Sequence, residues 1–191
     1  MSNKIEVEET KEQESKVLKE LLGWIMYIGI VVVITYVVVT FVGQRTCVSG
    51  ESMMPTLHNE DNLIVDKLSY RFTNPDRYDI IVFPYQYEEK VYYIKRIIGM
   101  PGEEVQVKDG EVYINGVLLG EEYGAEVMEN PGIAADSIRL GEDEYFVLGD
   151  NRNHSADSRD PSVGVLKGKD IIGKAWVRIW PLNSIGVLKH E

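Results

Sequence analysis

Val105-Gln106-Val107-Lys108-Asp109-Gly110-Glu111-Val112-Tyr113-Ile114-Asn115-Gly116-Val117-Leu118-Leu119 decides the fold class. Apolar residues alternate at 105 and 107, at 112 and 114, and at 117 and 119. Side chains of a strand point alternately to its two faces, so this is a half-buried strand pattern. Asp109-Gly110 and Asn115-Gly116 separate the three runs. Both dipeptides tolerate the positive φ angles that two-residue hairpins require. Three short antiparallel strands are therefore expected here. Further out, 62–70, 79–83, 90–99, 144–148 and 171–180 read as strands, with Pro84, Pro101 and Pro181 closing three of them. Helical periodicity is weak throughout 43–191, and this stretch is long enough for a real core. The expected fold class is mainly β, a coiled antiparallel sheet domain. Residues 120–143 are rich in Gly and Glu and read as a long surface loop or excursion.

Residues 21–42, LLGWIMYIGIVVVITYVVVTFV, carry no charge in 22 residues. As a helix they would extend about 33 Å, close to the ~30 Å hydrocarbon core of a bilayer. A buried core helix of that length would show a polar face. A cleaved signal peptide would have a shorter apolar run and a small-x-small end, whereas this run ends Gly43-Gln44-Arg45. It reads as one retained transmembrane helix. Lys4, Lys11, Lys16 and Lys19 precede it and only Arg45 follows within twenty residues. The positive-inside rule then leaves the N-terminus in the cytoplasm and 43–191 outside, a single-pass cell-membrane protein. Residues 1–20, rich in Glu and Lys, read as a disordered or fraying cytoplasmic tail.

The chain of 191 residues holds 20 Lys+Arg against 31 Asp+Glu, a net charge of −11. Nucleic acid is not expected as a partner, because phosphate binding needs a basic stripe. One cysteine excludes an intrachain disulfide and a four-cysteine zinc site, and three histidines make a His-rich metal site unexpected.

Three patches carry chemistry. The first is Ser49-Gly50-Glu51-Ser52-Met53-Met54-Pro55-Thr56. Ser52 lies at most ~35 Å along the chain from the membrane exit. Gly50 permits a sharp turn before it and Pro55 stiffens the chain after it. The second is Tyr92-Tyr93-Ile94-Lys95-Arg96-Ile97-Ile98-Gly99-Met100-Pro101-Gly102, with two cations inside an apolar strand. Both faces are apolar, so spacing alone leaves open which cation is buried, or whether both snorkel to solvent. Arginine does not deprotonate, while a desolvated lysine can, so Lys95 is the candidate base. The third is Gly149-Asp150-Asn151-Arg152-Asn153-His154-Ser155-Ala156-Asp157-Ser158-Arg159, either a solvated loop or one bound to itself by arginine–carboxylate pairs.

Ser52 with Lys95 makes a nucleophile and a base, a known variant of serine catalysis. A triad through His154 or His58 ranks below it, because Ser52 lacks the nucleophile-elbow pattern. Alternatives are a sortase-like transpeptidase using Cys47, His154 and an arginine, a membrane-tethered β adaptor without activity, and a self-cleaving Ser–Lys regulator of the LexA-like type.

Together, in this order behind an apolar anchor, the patches resemble the type I signal peptidases, the bacterial Ser–Lys leader peptidases, in their compact Gram-positive form. Residues 62–70 and the run from Gly173-Lys174-Ala175 to Trp180-Pro181 are similar to further family strands. The resemblance implies a signal peptidase/LexA-like β fold and an endopeptidase that removes signal peptides from secretory preproteins at small-x-small sites through an acyl-enzyme, with no metal or cofactor. It implies Ser52 as nucleophile, Lys95 as general base and Ser155 as the hydroxyl that orients the amine. Asp157 and Arg159 would form a structural ion pair, with Asp150 and Arg152 as its neighbours. The family's oxyanion serine is replaced here by Gly50, which leaves the Ser52 backbone N–H and a second donor of unassigned identity.

Overall fold

The computed structural model describes residues 2–38, 42–88, 90–124 and 126–190, with side chains from residue 18 onward. The chain divides into two compact units, Met1–Val42 and Gly43–Glu191.

The first unit contains helix α1, Ser2–Val37. Its span Leu18–Val37 is long and apolar enough to cross a membrane and is wholly unburied within the chain. Every side chain of such a stretch can face lipid, while the helix satisfies its own backbone groups. Two expectations change here. The helix begins at Ser2, so the segment read as a fraying tail continues the helix. Glu, Lys and Gln are strong helix formers, and extending an existing helix escapes the cost of nucleation. The apolar helix ends at Val37, while 39–41 of the expected 21–42 span lie outside the described residues.

The second unit is β, as its alternation requires. One antiparallel sheet comprises β1 (Gly43–Cys47), β2 (Asn62–Asp66), β3 (Ile80–Pro84), β4 (Tyr92–Gly99), β9 (Glu144–Leu148), β10 (Leu166–Lys167), β11 (Gly173–Trp180) and β12 (Gly186–Val187). Its order is β1-β2-β11-β3-β4-β9-β10, with β12 paired to β11. The other sheet is formed by β5 (Glu104–Lys108), β6 (Glu111–Ile114), β7 (Val117–Leu118) and β8 (Ile138–Arg139), in the order β7-β6-β5-β8. Asp109 and Gly110, then Asn115 and Gly116, have positive φ, the conformation of the expected tight turns. Val105, Val107, Val112 and Ile114 all face one apolar core.

The 62–70 strand is shorter than expected. It stops at Asp66, whose carboxylate accepts the Leu68 and Ser69 amides and turns the chain into a 3-10 turn, Ser69–Arg71. The 120–143 stretch is more than a surface loop. Met128, Ala134 and Leu140 are buried in the β5–β6 core, and β8 lies within it.

A second core, under β2, β3, β4 and β11, holds Val48, Met53, Leu57, Leu63 and Val65. Met53 and Leu57 anchor the turns that follow β1, so the segment carrying Ser52 is seated on the sheet by its own apolar neighbours. The burial of each such side chain is worth about 2 kcal/mol.

Candidate active site

Ser52 sits in the connection between β1 and β2. The Met54 amide donates to the Glu51 carbonyl at 3.1 Å and the Leu57 amide to the Met53 carbonyl at 2.9 Å, closing two consecutive turns. Gly50 adopts φ +97°, a conformation that favours glycine. Its amide donates to Asn59 Oδ1 at 2.9 Å, which pins the start of the turn.

Lys95 lies in the middle of β4, opposite Ile81 of β3. It is only 3% exposed, and Arg96 is 1% exposed. Neither cation snorkels. Lys95 Nζ lies 2.7 Å from Ser52 Oγ and 3.0 Å from the Ile94 carbonyl, donating to each. Burial pushes the amine down from its usual 10.5 to about 8, against the opposing pull of Asp157 and Asp150. Once the amine is neutral, the same 2.7 Å contact can run the other way, with the hydroxyl donating to nitrogen.

The loop after β9 is built on buried ion pairs rather than solvated. Asp157 accepts from Arg159 Nε at 2.8 Å and from Nη2 at 2.9 Å. It also takes the Gly149 amide at 3.1 Å. Asp150 and Arg152, expected as neighbours of that pair, each take a partner from elsewhere. Asp150 holds Arg96 through two bonds of 2.9 and 2.7 Å. Arg152 holds Glu121 through bonds of 2.6 and 2.7 Å. Asp150, Arg152, Asp157 and Arg159 are all buried. Two further side chains of the quoted patches tie the loop to the Ser52 turn. Thr56 Oγ1 donates to Asp150 Oδ2 at 2.5 Å, and Asn151 Nδ2 donates to the Glu51 carbonyl at 3.1 Å. The Asn151 amide reaches the Ser52 carbonyl at 3.1 Å.

A cleft of about 560 Å³ opens over the pair, with Thr46, Gly50, Ser52, Tyr93, Lys95 and His154 among its walls.

Residues 21–180 match the family model described as "Signal peptidase, peptidase S26". The chain is 42% identical to signal peptidase I of Leptolyngbya laminosa over 88% of its own length and 84% of that protein's. It is 35% identical to signal peptidase I P of Bacillus subtilis subsp. natto, over 91% of this chain and 97% of the relative. Signal peptidase I of Bacillus licheniformis is 34% identical over 92% and 97%. The chain belongs to the signal peptidase family.

Within this S26 chain the structure gathers Ser52, Lys95, Ser155, Asp150, Arg152, Asp157 and Arg159 around one site. One expected contact is not made. Ser155 Oγ is buried without a hydrogen bond, and the Ile94 carbonyl is the second acceptor for Lys95. Asp150 and Arg152 brace the site through Arg96 and Glu121, partners 54 and 31 residues away in sequence. Arg96 lies in the Lys95 patch, but no local pattern pairs it with Asp150, and none marks Glu121 as part of the site. Cys47 is exposed on the cleft wall and His154 faces the same cleft. Among the described residues, no cluster of His, Cys, Asp or Glu could hold a metal ion.

Proposed function

We propose that this chain is a membrane-anchored serine endopeptidase that removes signal peptides from secretory preproteins. One observation carries the reading: a buried lysine, 3% exposed, whose amine lies 2.7 Å from a serine hydroxyl. A serine hydroxyl is a weak nucleophile until a neighbouring base takes its proton. An amine with a pKa near 8 is neutral often enough to do so.

Neutral Lys95 accepts the Ser52 proton as Oγ attacks the scissile carbonyl carbon. The C–N bond then breaks, Lys95 returns that proton to the leaving amine, and an ester joins Ser52 to the signal peptide. Water attacks the ester carbon with Lys95 again taking a proton, and Ser52 is released. The Ser52 N–H is the first donor to the oxyanion. The Gly50 N–H is already committed to Asn59, so the second donor comes from another group. A neutral amine has two N–H groups and one lone pair. Ser52 occupies the lone pair and Ile94 one N–H. The other is available to Ser155 Oγ, which orients the amine during turnover.

The anchor places the enzyme in the membrane that holds the substrate's apolar segment, which raises the effective substrate concentration. The lysines before the anchor put the N-terminus in the cytoplasm and the β unit outside. The cleft suits an extended small-x-small stretch. Incubating the full-length protein with a preprotein tests the reading: Ser52→Ala and Lys95→Met should each abolish cleavage while the fold persists. Cleavage retained by the lysine variant would overturn the dyad.

A further inference from the structure

Two arginines brace the site from behind, and one short piece of the 120–143 excursion touches both. Arg96 follows Lys95 on β4 and grips Asp150 with two hydrogen bonds. Arg152 donates Nε to the Gly149 carbonyl at 3.1 Å. Gly149 has no room for a side chain, since a Cβ there would overlap Ser155 Oγ and the Ser52 carbonyl oxygen. Arg152 therefore holds the peptide against which the nucleophile's backbone rests.

Glu121 closes on this arginine with both carboxylate oxygens, at 2.6 and 2.7 Å, and the two side chains are 8% and 3% exposed. The other acceptor of the Arg152 side chain is a neutral carbonyl, so Glu121 supplies the charge that a buried cation requires. Two residues further on, the Tyr123 ring lies 3.7 Å from Arg96 Cζ, a cation–π contact. At Gly124 a Cβ would stand 3.3 Å from Arg152 Cζ, so the backbone passes directly over the guanidinium.

We propose that residues 121–124 are a positioning clamp for the Ser52–Lys95 pair, with Glu121 acting through Arg152 and Tyr123 acting through Arg96. This rests on the Ser–Lys reading above. Neither residue touches the pair; both are positioning residues. Removing either loosens the packing behind the pair, which spoils the 2.7 Å contact and lets water reach the amine. A better-hydrated amine recovers part of its ordinary basicity and is neutral only at higher pH.

The test uses the full-length protein in detergent with a preprotein substrate. Glu121→Gln keeps the shape and loses the charge. Tyr123→Leu loses the ring, and Tyr123→Phe keeps it. Glu121→Gln and Tyr123→Leu should each lower kcat by about tenfold or more, leave KM unchanged and move the acid limb of the pH–rate profile to higher pH. Tyr123→Phe should match the wild type. A lowered melting temperature with normal kcat and a normal acid limb would reduce the segment to a structural staple and overturn the proposal. A change confined to KM would assign the segment to the substrate cleft and overturn it equally. If Glu121→Gln does not fold, the two Tyr123 variants decide. Ser52→Ala serves as the control: if it still cleaves, the Ser–Lys reading itself fails; if it is dead while the clamp variants behave as wild type, only the clamp fails.

Discussion

Lys95 and Arg96 are consecutive residues on β4, both buried, and of the two it is Arg96 that is hydrogen-bonded to a carboxylate. Arg96 donates to both oxygens of Asp150 at 2.9 and 2.7 Å. Lys95 has two neutral oxygens, Ser52 Oγ and the Ile94 carbonyl. Alternation along the strand sends the two side chains to opposite faces, where one hydrogen-bonds a carboxylate and the other only feels Asp157 and Asp150 from a distance. The paired cation stays charged and braces the sheet. The unpaired one is left where its charge is costly, so it gives up its proton at about 8 instead of 10.5.

That difference fixes how activity depends on pH. With the amine at about 8, the active, neutral fraction falls tenfold for each pH unit below that value. The kcat/KM profile should rise through an acid limb near pH 8 and level off above it. Steady-state cleavage of a preprotein across that range measures it. A flat profile from about pH 6 to 9 would show that the base is another group.

The same group changes stability with a definite sign. In the unfolded chain the Lys95 amine holds its proton up to its ordinary 10.5, but in the folded chain only up to about 8. Between those values unfolding takes up a proton, so the folded state gains stability as pH rises through this window and the cost of burying the amine disappears above 10.5. Below about 8 both states are protonated and the cost of the buried charge is constant. Lys95→Met removes the cost, which is on the order of 3 kcal/mol. The variant should therefore melt above the wild type at pH 7, with the gap closing as pH rises through 8 to 10.5. Thermal melts at several pH values read this directly. A variant less stable than wild type at pH 7 would contradict it.

Arg96 and Asp150 form a buried pair, 1% and 0% exposed in their side chains. Removing one partner strands the other charge in the core, at a cost of about 3–5 kcal/mol. Arg96→Met should lose that much stability in thermal or denaturant unfolding. Adding Asp150→Leu should restore part of it, because no charge is then left unpaired. If the double variant is worse than the sum of its single variants, the pair is not what holds these strands.

The β class was legible because its turns are encoded locally. Asp109-Gly110 and Asn115-Gly116 take the positive φ their chemistry favours, and Val112 and Ile114 between them alternate as the pleat demands. The closeness of Lys95 to Ser52 was legible by chemistry rather than pattern. Both faces of β4 are apolar, so only the difference between an amine and a guanidinium separated Lys95 from Arg96. What stayed hidden depends on chain closure. Nothing near Arg152 in sequence points to Glu121, and nothing near Asp150 points to Arg96; folding the excursion back over the loop brings them together. The same closure buries Met128, Ala134 and Leu140, three apolar residues scattered through a stretch whose composition reads as solvent-facing. The N-terminal helix ran past expectation for the opposite reason. A polar segment that would not form a helix by itself extends one already nucleated by its apolar neighbour.

Cys47 bears on which residue attacks the substrate. It is exposed on the cleft wall, and its thiol lies 3.8 Å from the neighbouring Val48 carbonyl, an acceptor that cannot take the proton the thiol must lose to become a nucleophile. Cys47→Ser should leave kcat and KM unchanged. A bulky maleimide attached to Cys47 should nevertheless block wild-type cleavage, because the adduct would occupy the path of an extended peptide, and the serine variant should be immune to the reagent. A dead Cys47→Ser enzyme would move the nucleophile from the hydroxyl to the thiol. Full activity in the labelled wild type would show instead that the substrate does not pass along the β1 end of the cleft.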